Sequence, residues 1–351
     1  MKKKKITSLK VAATYIGTVV GAGFATGQEI LQFFTKFGIM GLAGILVSTI
    51  MFILFGYIIM DLGKKLGAHS HLEIIKYSDN GMTGKIVDSI ITFFLFGSFT
   101  SMIAGTGALF IQQFGLTSLM GNILMAVITA VTVLTGINGV INSISFVVPF
   151  LLAAVIGTSL FSITGSPPNF TSSLVPSGGS IIISNWLLSS ILYVSYNIII
   201  SVAILGPLGA EAKDRRAVKI GAILGGLGLG LGSVMIFLAL SGNISEIINL
   251  EVPMIYVAGK ISYPAQLAYA VVLIAEIYTT AVGSLYGFVS RITNIQRFSL
   301  NSVLIVTLTT IAALLASQFG FSNLVKYYYP LVGYGGIVFL ICLLRTGQDN
   351  I

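Results

Sequence analysis

The sequence predicts an all-α integral membrane protein of about ten transmembrane helices, arranged as a 5+5 inverted repeat with helices 1 and 6 broken. Three observations carry that reading. The 351 residues are 55% hydrophobic and only 9% charged, against about 25% charged in an ordinary soluble domain. Apolar runs long enough to cross a ~30 Å hydrocarbon core recur ten times along the chain. The basic residues fall in alternate loops between those runs, the pattern of a polytopic chain. A mean hydropathy of +0.98 is more apolar surface than one water-soluble core can hide. An ordinary soluble enzyme and a disordered chain are both excluded.

The ten runs lie at roughly 9–36, 40–62, 86–112, 118–135, 139–163, 182–209, 217–242, 264–290, 299–317 and 322–344. The fourth and fifth nearly touch at Gly136-Ile137-Asn138-Gly139. Met1 and four lysines ahead of an apolar stretch could imitate a signal peptide. Thr14, Gly17, Thr18, Gly21 and Gly23 interrupt that stretch, so it is expected to be a retained first span. With both termini cytoplasmic, sixteen of the nineteen Lys and Arg residues lie inside and only Lys36, Lys260 and Lys326 lie outside. The net charge of +8 is therefore an orientation signal, and no nucleic-acid partner is expected. The expected location is a bacterial plasma membrane, with lipid as the surrounding partner.

Two loops exceed turns. Residues 63–85 carry Leu72, Ile74 and Ile75 among Lys and Asp and read as a cytoplasmic interfacial segment. Residues 243–263, with Ile247, Ile248, Val252, Pro253 and Met254, are too apolar for a free external loop and are expected to fold back as a lid.

The ten spans divide into repeats at about 9–163 and 182–344 of one transmembrane domain, separated by the loop from Ser166-Pro167-Pro168 to Ser180. An odd number of spans per half makes the second half enter from the opposite face, as in many secondary transporters. Span one carries Gly17, Gly21, Gly23 and Gly27 followed by Gln28 and Glu29. Glycine contacts between helices would explain the first four. An unwound stretch over Gly21 to Gly27 would explain all six, because released backbone and polar side chains can line a wet cavity. Span six is interrupted by Tyr193-Val194-Ser195-Tyr196-Asn197 and ends in Gly206-Pro207-Leu208-Gly209. Either interhelical hydrogen bonding or a second break accounts for it.

Glu29 and Glu276 fall clearly within spans, where a carboxyl is costly and faces a cavity by default. Glu29 is either a structural acceptor or part of a site. Glu276 precedes Tyr278-Thr279-Thr280, whose hydroxyls suit a hard cation, although threonine also back-bonds to its own helix. The glycines of span seven, Gly221, Gly225, Gly226, Gly228, Gly230 and Gly232, lack a dinucleotide fingerprint and read as tight packing. No Gly-Lys pair precedes Ser or Thr, so no P-loop is present. His69-Ser70-His71-Leu72-Glu73 lacks metal-site spacing, and Cys342 reads as core packing. No cofactor is expected beyond a coupling ion.

The stretch Thr14 to Glu29 after a Lys-rich start resembles the opening of YkvI-type bacterial membrane proteins. These are similar to the amino acid–polyamine–organocation superfamily of transporters with the LeuT-type fold. The resemblance covers the chain in length and span pattern, while its specific motif is confined to span one. It implies a solute site between spans one and six, formed by Gly21, Ala22, Gly23, Phe24, Thr26, Gly27, Glu29, Tyr193, Tyr196 and Asn197. In that reading, backbone N–H groups of Gly21 to Gly27 meet a carboxylate if the solute has one. The aromatic rings close the cavity, and Asn197 supplies one hydrogen bond. It also implies a cation site on the carbonyls of Gly17 and Val20 with the hydroxyls of Thr279 and Thr280. Glu276 falls where the third carbonyl residue is expected, a departure that leaves Na⁺ and H⁺ both open. The Asp-Pro-Gly and Met-Pro-His signatures of the metal-transporting branch are absent. The expectation is a secondary transporter for a small organic solute, an amino acid or related amine, working by alternating access. A non-transporting sensor on the same fold is the alternative; an intramembrane enzyme lacks the paired groups it needs.

Overall fold

A computed structural model describes residues 6–68, 71–78, 81–135, 138–170, 182–292 and 300–348. The Lys-rich start, His69, residues 136–137 between spans four and five, most of the loop between the halves, and Arg297 lie outside these. The described residues form helices throughout, with one isolated bridge between Ile6 and Ala212.

Span one is three pieces: α1 (Ser8–Val19), α2 (Ala22–Ala25) and α3 (Gln28–Phe33). Span two is α4 (Ile39–Leu66) and is followed by the short α5 (His71–Ser78). Spans three to five are α6 (Met82–Phe114), α7 (Ser118–Thr135) and α8 (Asn138–Gly165). Spans six and seven are α9 (Trp186–Glu211) and α10 (Arg215–Ser241). Then come α11 (Ile244–Ile247) and α12 (Pro253–Ile261), followed by span eight, α13 (Tyr263–Ile292). Span nine is α14 (Leu300–Ala316); span ten is α15 (Phe321–Asn323), a π-helical stretch Leu324–Tyr328, and α16 (Tyr329–Gln348). Seven of these are long and apolar enough to cross a membrane, and two shorter apolar stretches lie in α7 and α8. With the segmented first span, about ten is the fitting number.

One expected break is corrected. Span six runs as a single helix through Tyr193–Asn197 and on through Gly206-Pro207. Ser195 and Asn197 of its polar cluster find partners without unwinding. The Ser195 hydroxyl donates to the Leu192 and Gly333 carbonyls at 3.0 and 2.6 Å, and Asn197 Nδ2 donates to the Tyr193 carbonyl at 2.9 Å. Span six is also clasped between glycines. A Cβ on Gly63 of α4 would stand 2.0 Å from the Gly206 carbonyl oxygen, and one on Gly336 of α16 2.7 Å from that of Ser195. A helix gripped so closely on two sides keeps its backbone regular.

α1, α4, α9 and α10 pack on one another, and α6, α7, α8, α13 and α14 form a second group. The glycines of α10 are the seam of the first, as the sequence suggests: Gly221 faces Val11, Gly225 faces Tyr15, Gly226 faces Ile53, and Gly230 faces Thr49. Tyr15 lies fully inside, its hydroxyl donating to the Phe52 carbonyl at 2.7 Å.

The two long loops also take shape. α5 buries Ile74 and Ile75, with Ile74 lying over Gly206 of α9, so these residues pack on protein rather than on lipid. The segment after α10 folds back as the expected lid. The Met254 N–H donates to the Thr26 carbonyl at 3.0 Å, and the Gln112 amide exchanges two hydrogen bonds with the Val252 backbone.

Basic residues gather at one end of the molecule with acidic partners. Asp61 sits 3.1 Å from both Lys65 and Arg215, and Arg291 sits 2.7 Å from Asp88.

Candidate functional site

The first span breaks because its glycines permit it and its neighbours satisfy what the break exposes. The regular ladder of α1 ends with the Val20 N–H donating to the Ile16 carbonyl at 2.8 Å. Val20 and Gly21 are then extended, with φ/ψ of −70/113° and −125/−171°. One helical turn follows. Gly27 takes a left-handed φ of 80°, which glycine adopts without the penalty a Cβ would bring. The released groups on the lid side find partners: the Ala25 carbonyl accepts from the Tyr269 hydroxyl at 2.6 Å, and the Thr26 carbonyl from the lid. Irregular backbone at membrane depth persists only when so compensated.

Beside the first break lies a cavity of about 510 Å³, in the size range of small-molecule sites, roughly 300–1,000 Å³. It is lined by Gly17 and Val20 to Gly23 of span one, Tyr196 and Asn197 of span six, and Glu276, Thr279 and Thr280 of span eight. Glu29 reaches it from α3. From there it runs along α6, α9 and α13 to Ser290 and Arg291 at the basic end of the molecule.

Not every residue expected at the solute site reaches this cavity. Phe24 is buried against Gly232 of α10, and Tyr193 packs among Phe33, Phe34 and Phe52. Thr26 and Gly27 lie under the lid, with Met254 against Gly27. These four form the closed side, opposite the opening toward Arg291.

The residues expected around a cation converge. Thr280 lies against Gly21 at the break, its Oγ1 3.8 Å from where a Cβ on Gly21 would stand. Thr279 donates to the Glu276 carbonyl at 3.0 Å, the back-bonded geometry that threonine takes in helices. The described residues hold no group of three or more His, Cys, Asp or Glu side chains that could bind a metal; what lines this part of the cavity is carbonyl, hydroxyl and carboxyl oxygen.

Both intramembrane carboxyls face the cavity. Glu29 is 5% exposed and Glu276 2%, and one oxygen of each lacks a hydrogen-bond partner. Sequence reasoning missed part of the wall. Tyr329 lines the cavity with Phe94, Ser98 and Ser284, and the two serine hydroxyls lie 2.9 Å apart. The signal for Tyr329 was the run Tyr327-Tyr328-Tyr329-Pro330, which sits where span ten turns π-helical, a distortion frequent at functional sites. Ser98 and Phe94 had no signal beyond their place in an apolar span.

No family model matches the chain. It is 32% identical over 348 residues to the uncharacterized membrane protein YkvI of Bacillus subtilis (strain 168), covering 98% of this chain and 97% of that one. The chain belongs to the YkvI family. The uncharacterized protein YyaD of the same organism is 31% identical over 94% of both chains. Among solved structures, MhsT in complex with L-phenylalanine superposes with a TM-score of 0.66 at 15% identity, covering 96% of this chain and 89% of that one. The inward-facing conformation of Mhp1 gives 0.63 at 15%, over 94% and 74%. A Na⁺-coupled sialic acid symporter in a substrate-bound outward-open state gives 0.63 at 12%, over 96% and 79%. This chain thus has the LeuT-type fold, and its structural neighbours are transporters.

Proposed function

We propose that this YkvI-family chain is a secondary transporter that moves a small organic solute, an amino acid or related amine, across the cytoplasmic membrane by alternating access. The observation that carries the reading is the cavity itself. It lies at the break in span one, between the group α1, α4, α9 and α10 and the group containing α6 and α13, and it leads toward Arg291 while the lid and Phe24 close the far side. With the basic end cytoplasmic, by the positive-inside rule, this is an inward-open state. Rocking of the first group against the second would close that path and open the other.

Coupling to Na⁺ or H⁺ accounts for the second cluster. The carbonyls of Gly17 and Val20 and the hydroxyls of Thr279 and Thr280 offer oxygen ligands to Na⁺, and Glu276 offers either a ligand or a proton carrier. The solute cluster is Gly21 to Gly23, Glu29, Tyr196 and Asn197. Purified protein in proteoliposomes, given imposed Na⁺ or H⁺ gradients, should accumulate a labelled amino acid or amine. Absence of gradient-driven uptake across a broad panel of both would sink the reading.

A further inference from the structure

The two classes of solute left open above make opposite demands on the break in span one. A zwitterionic amino acid must place its carboxylate on positive or N–H-rich surface, whereas an amine needs a carboxylate and aromatic faces. Four observations decide between them.

First, the protein's own carboxyl already occupies the backbone of the break. Glu29 folds back from α3 over Gly23, so closely that a Cβ on Gly23 would stand 2.1 Å from Oε1 and 2.6 Å from Cδ. A solute carboxylate brought to Gly23 would find that space already filled by Glu29. Second, Glu29 is 5% exposed and its Oε2 has no hydrogen-bond partner. The Tyr196 hydroxyl comes up to this carboxyl without closing a bond of ordinary length, and it too has no partner. A buried carboxyl oxygen without a partner is costly, and a donor cation in the cavity would relieve it.

Third, three aromatic rings stand together on the cavity wall beside Glu29. Tyr196 and Tyr329 have centroids 5.1 Å apart, Phe94 and Tyr329 5.4 Å, and Phe94 and Tyr196 5.8 Å; all three line the cavity. Ring faces attract ammonium groups, and more strongly where water is excluded. Fourth, among the described residues Arg291 is the one basic side chain on the lining, and it is engaged with Asp88 Oδ1, the Asp88 carbonyl and Thr92 at 2.7–3.1 Å. Among the described residues, nothing cationic on the lining is free to hold a carboxylate.

We infer that the Glu29 carboxyl and the Phe94–Tyr196–Tyr329 wall form a subsite for an ammonium group, so that the solute is an organic amine without a carboxylate next to its nitrogen. This rests on the solute site proposed above. The ammonium donates to Glu29 Oε2 and the Tyr196 hydroxyl, and the carbon chain extends along the apolar lining toward Ile91 and Ile200.

The test is ligand-induced thermal stabilisation of the full chain in detergent, which reads binding whether or not transport occurs. The probes are matched sets: leucine, isoamylamine and 4-methylpentanoate; phenylalanine, phenethylamine and 3-phenylpropanoate; lysine and cadaverine. At least one amine should stabilise at concentrations tenfold or more below its parent amino acid, and the carboxylates should not stabilise. Glu29→Gln, checked for folding by gel filtration, should weaken the amine's effect at least tenfold, and Tyr329→Leu should weaken it while leaving the gel-filtration profile unchanged. The inference is overturned if no amine stabilises, if an amino acid stabilises as well as its amine, or if Glu29→Gln binds as the parent does. The two readings fail separately. Amine binding without uptake in proteoliposomes sinks the transporter and leaves the subsite; amino-acid uptake that excess amine does not inhibit sinks the subsite and leaves the transporter.

Discussion

The Glu29 carboxyl lies where a methyl group on Gly23 would be, with Oε1, Cδ and Cγ all within 2.7 Å of that position. Six residues apart in sequence, across two short helical turns and a left-handed glycine, the two share one volume. Gly23→Ala should therefore displace Glu29 from the cavity without unfolding the protein, because the clash is with the far end of a flexible side chain. Thermal stability is expected to stay within a few degrees of the parent, and amine stabilisation to fall about tenfold, which corresponds to ~1.4 kcal/mol. Unchanged binding in Gly23→Ala would show that the position of Glu29 is immaterial.

Close backbone contacts make the opposite prediction. A Cβ on Gly209 of α9 would stand 2.0 Å from the Met60 carbonyl oxygen of α4, with Met60 C and Cα both at 2.7 Å. Backbone cannot swing aside as a carboxyl can. Gly209→Ala should cost at least the ~1–3 kcal/mol typical of overpacking and lower the thermal midpoint by several degrees. A variant that matched the parent in both melting and yield would contradict the packing described for spans two and six.

The lid is held by few bonds. Gln112 donates to the Val252 carbonyl at 2.8 Å and accepts from its N–H at 3.2 Å. Gln112→Ala removes both, about 1–3 kcal/mol in all at the usual net value per hydrogen bond. Hydrogen exchange of the backbone at 252–255 should accelerate correspondingly, while exchange in α4 and α9 stays as in the parent. Equal acceleration everywhere would mean global loosening instead.

Sodium coupling and proton coupling separate at Thr280. If Na⁺ is held between the break and span eight, Na⁺ should raise the melting temperature of the parent and not that of Thr280→Ala. Were Na⁺ to stabilise both equally, the ion would have to sit elsewhere. If Na⁺ stabilises neither, and uptake follows an imposed pH gradient, Glu276 becomes the coupling group and Glu276→Gln should abolish gradient dependence.

Glu251, on the lid segment, gives a pH signature outside the membrane. Burial raises its carboxyl above the ordinary carboxylate range, outweighing the N–H groups of Phe321 and Ser322 that pull it down. The folded state therefore holds this proton more tightly than the unfolded one. The associated stability is full below the unfolded value of about 4.3 and is lost as pH rises through the higher folded value. Glu251→Gln should flatten that part of the stability–pH curve; an unaltered acid limb would assign it to another carboxyl.

The sequence by itself determined the membrane class, about ten spans, the first-span break and the lid. Each depends on local composition: length of apolar runs, glycine where a left-handed turn is needed, apolar residues in a loop. It did not determine that span six stays helical. Its Tyr193–Asn197 cluster has the polarity of a break, and only the neighbours of that cluster settle the matter, through the Ser195–Gly333 bond and the glycines of spans two and ten. Nor could it sort the site residues. Phe24 and Tyr193 look as suited to a cavity as Tyr196, yet they pack inward, because the tilt of α2 and the face of α9 turned toward Phe33 and Phe52 are tertiary facts. Tyr329, about three hundred residues from Glu29, joins it for the same reason. Burial of apolar length is a one-dimensional property that composition records. Which polar groups share a cavity depends on how helices from the two halves cross, and that is decided by packing between segments far apart in the chain.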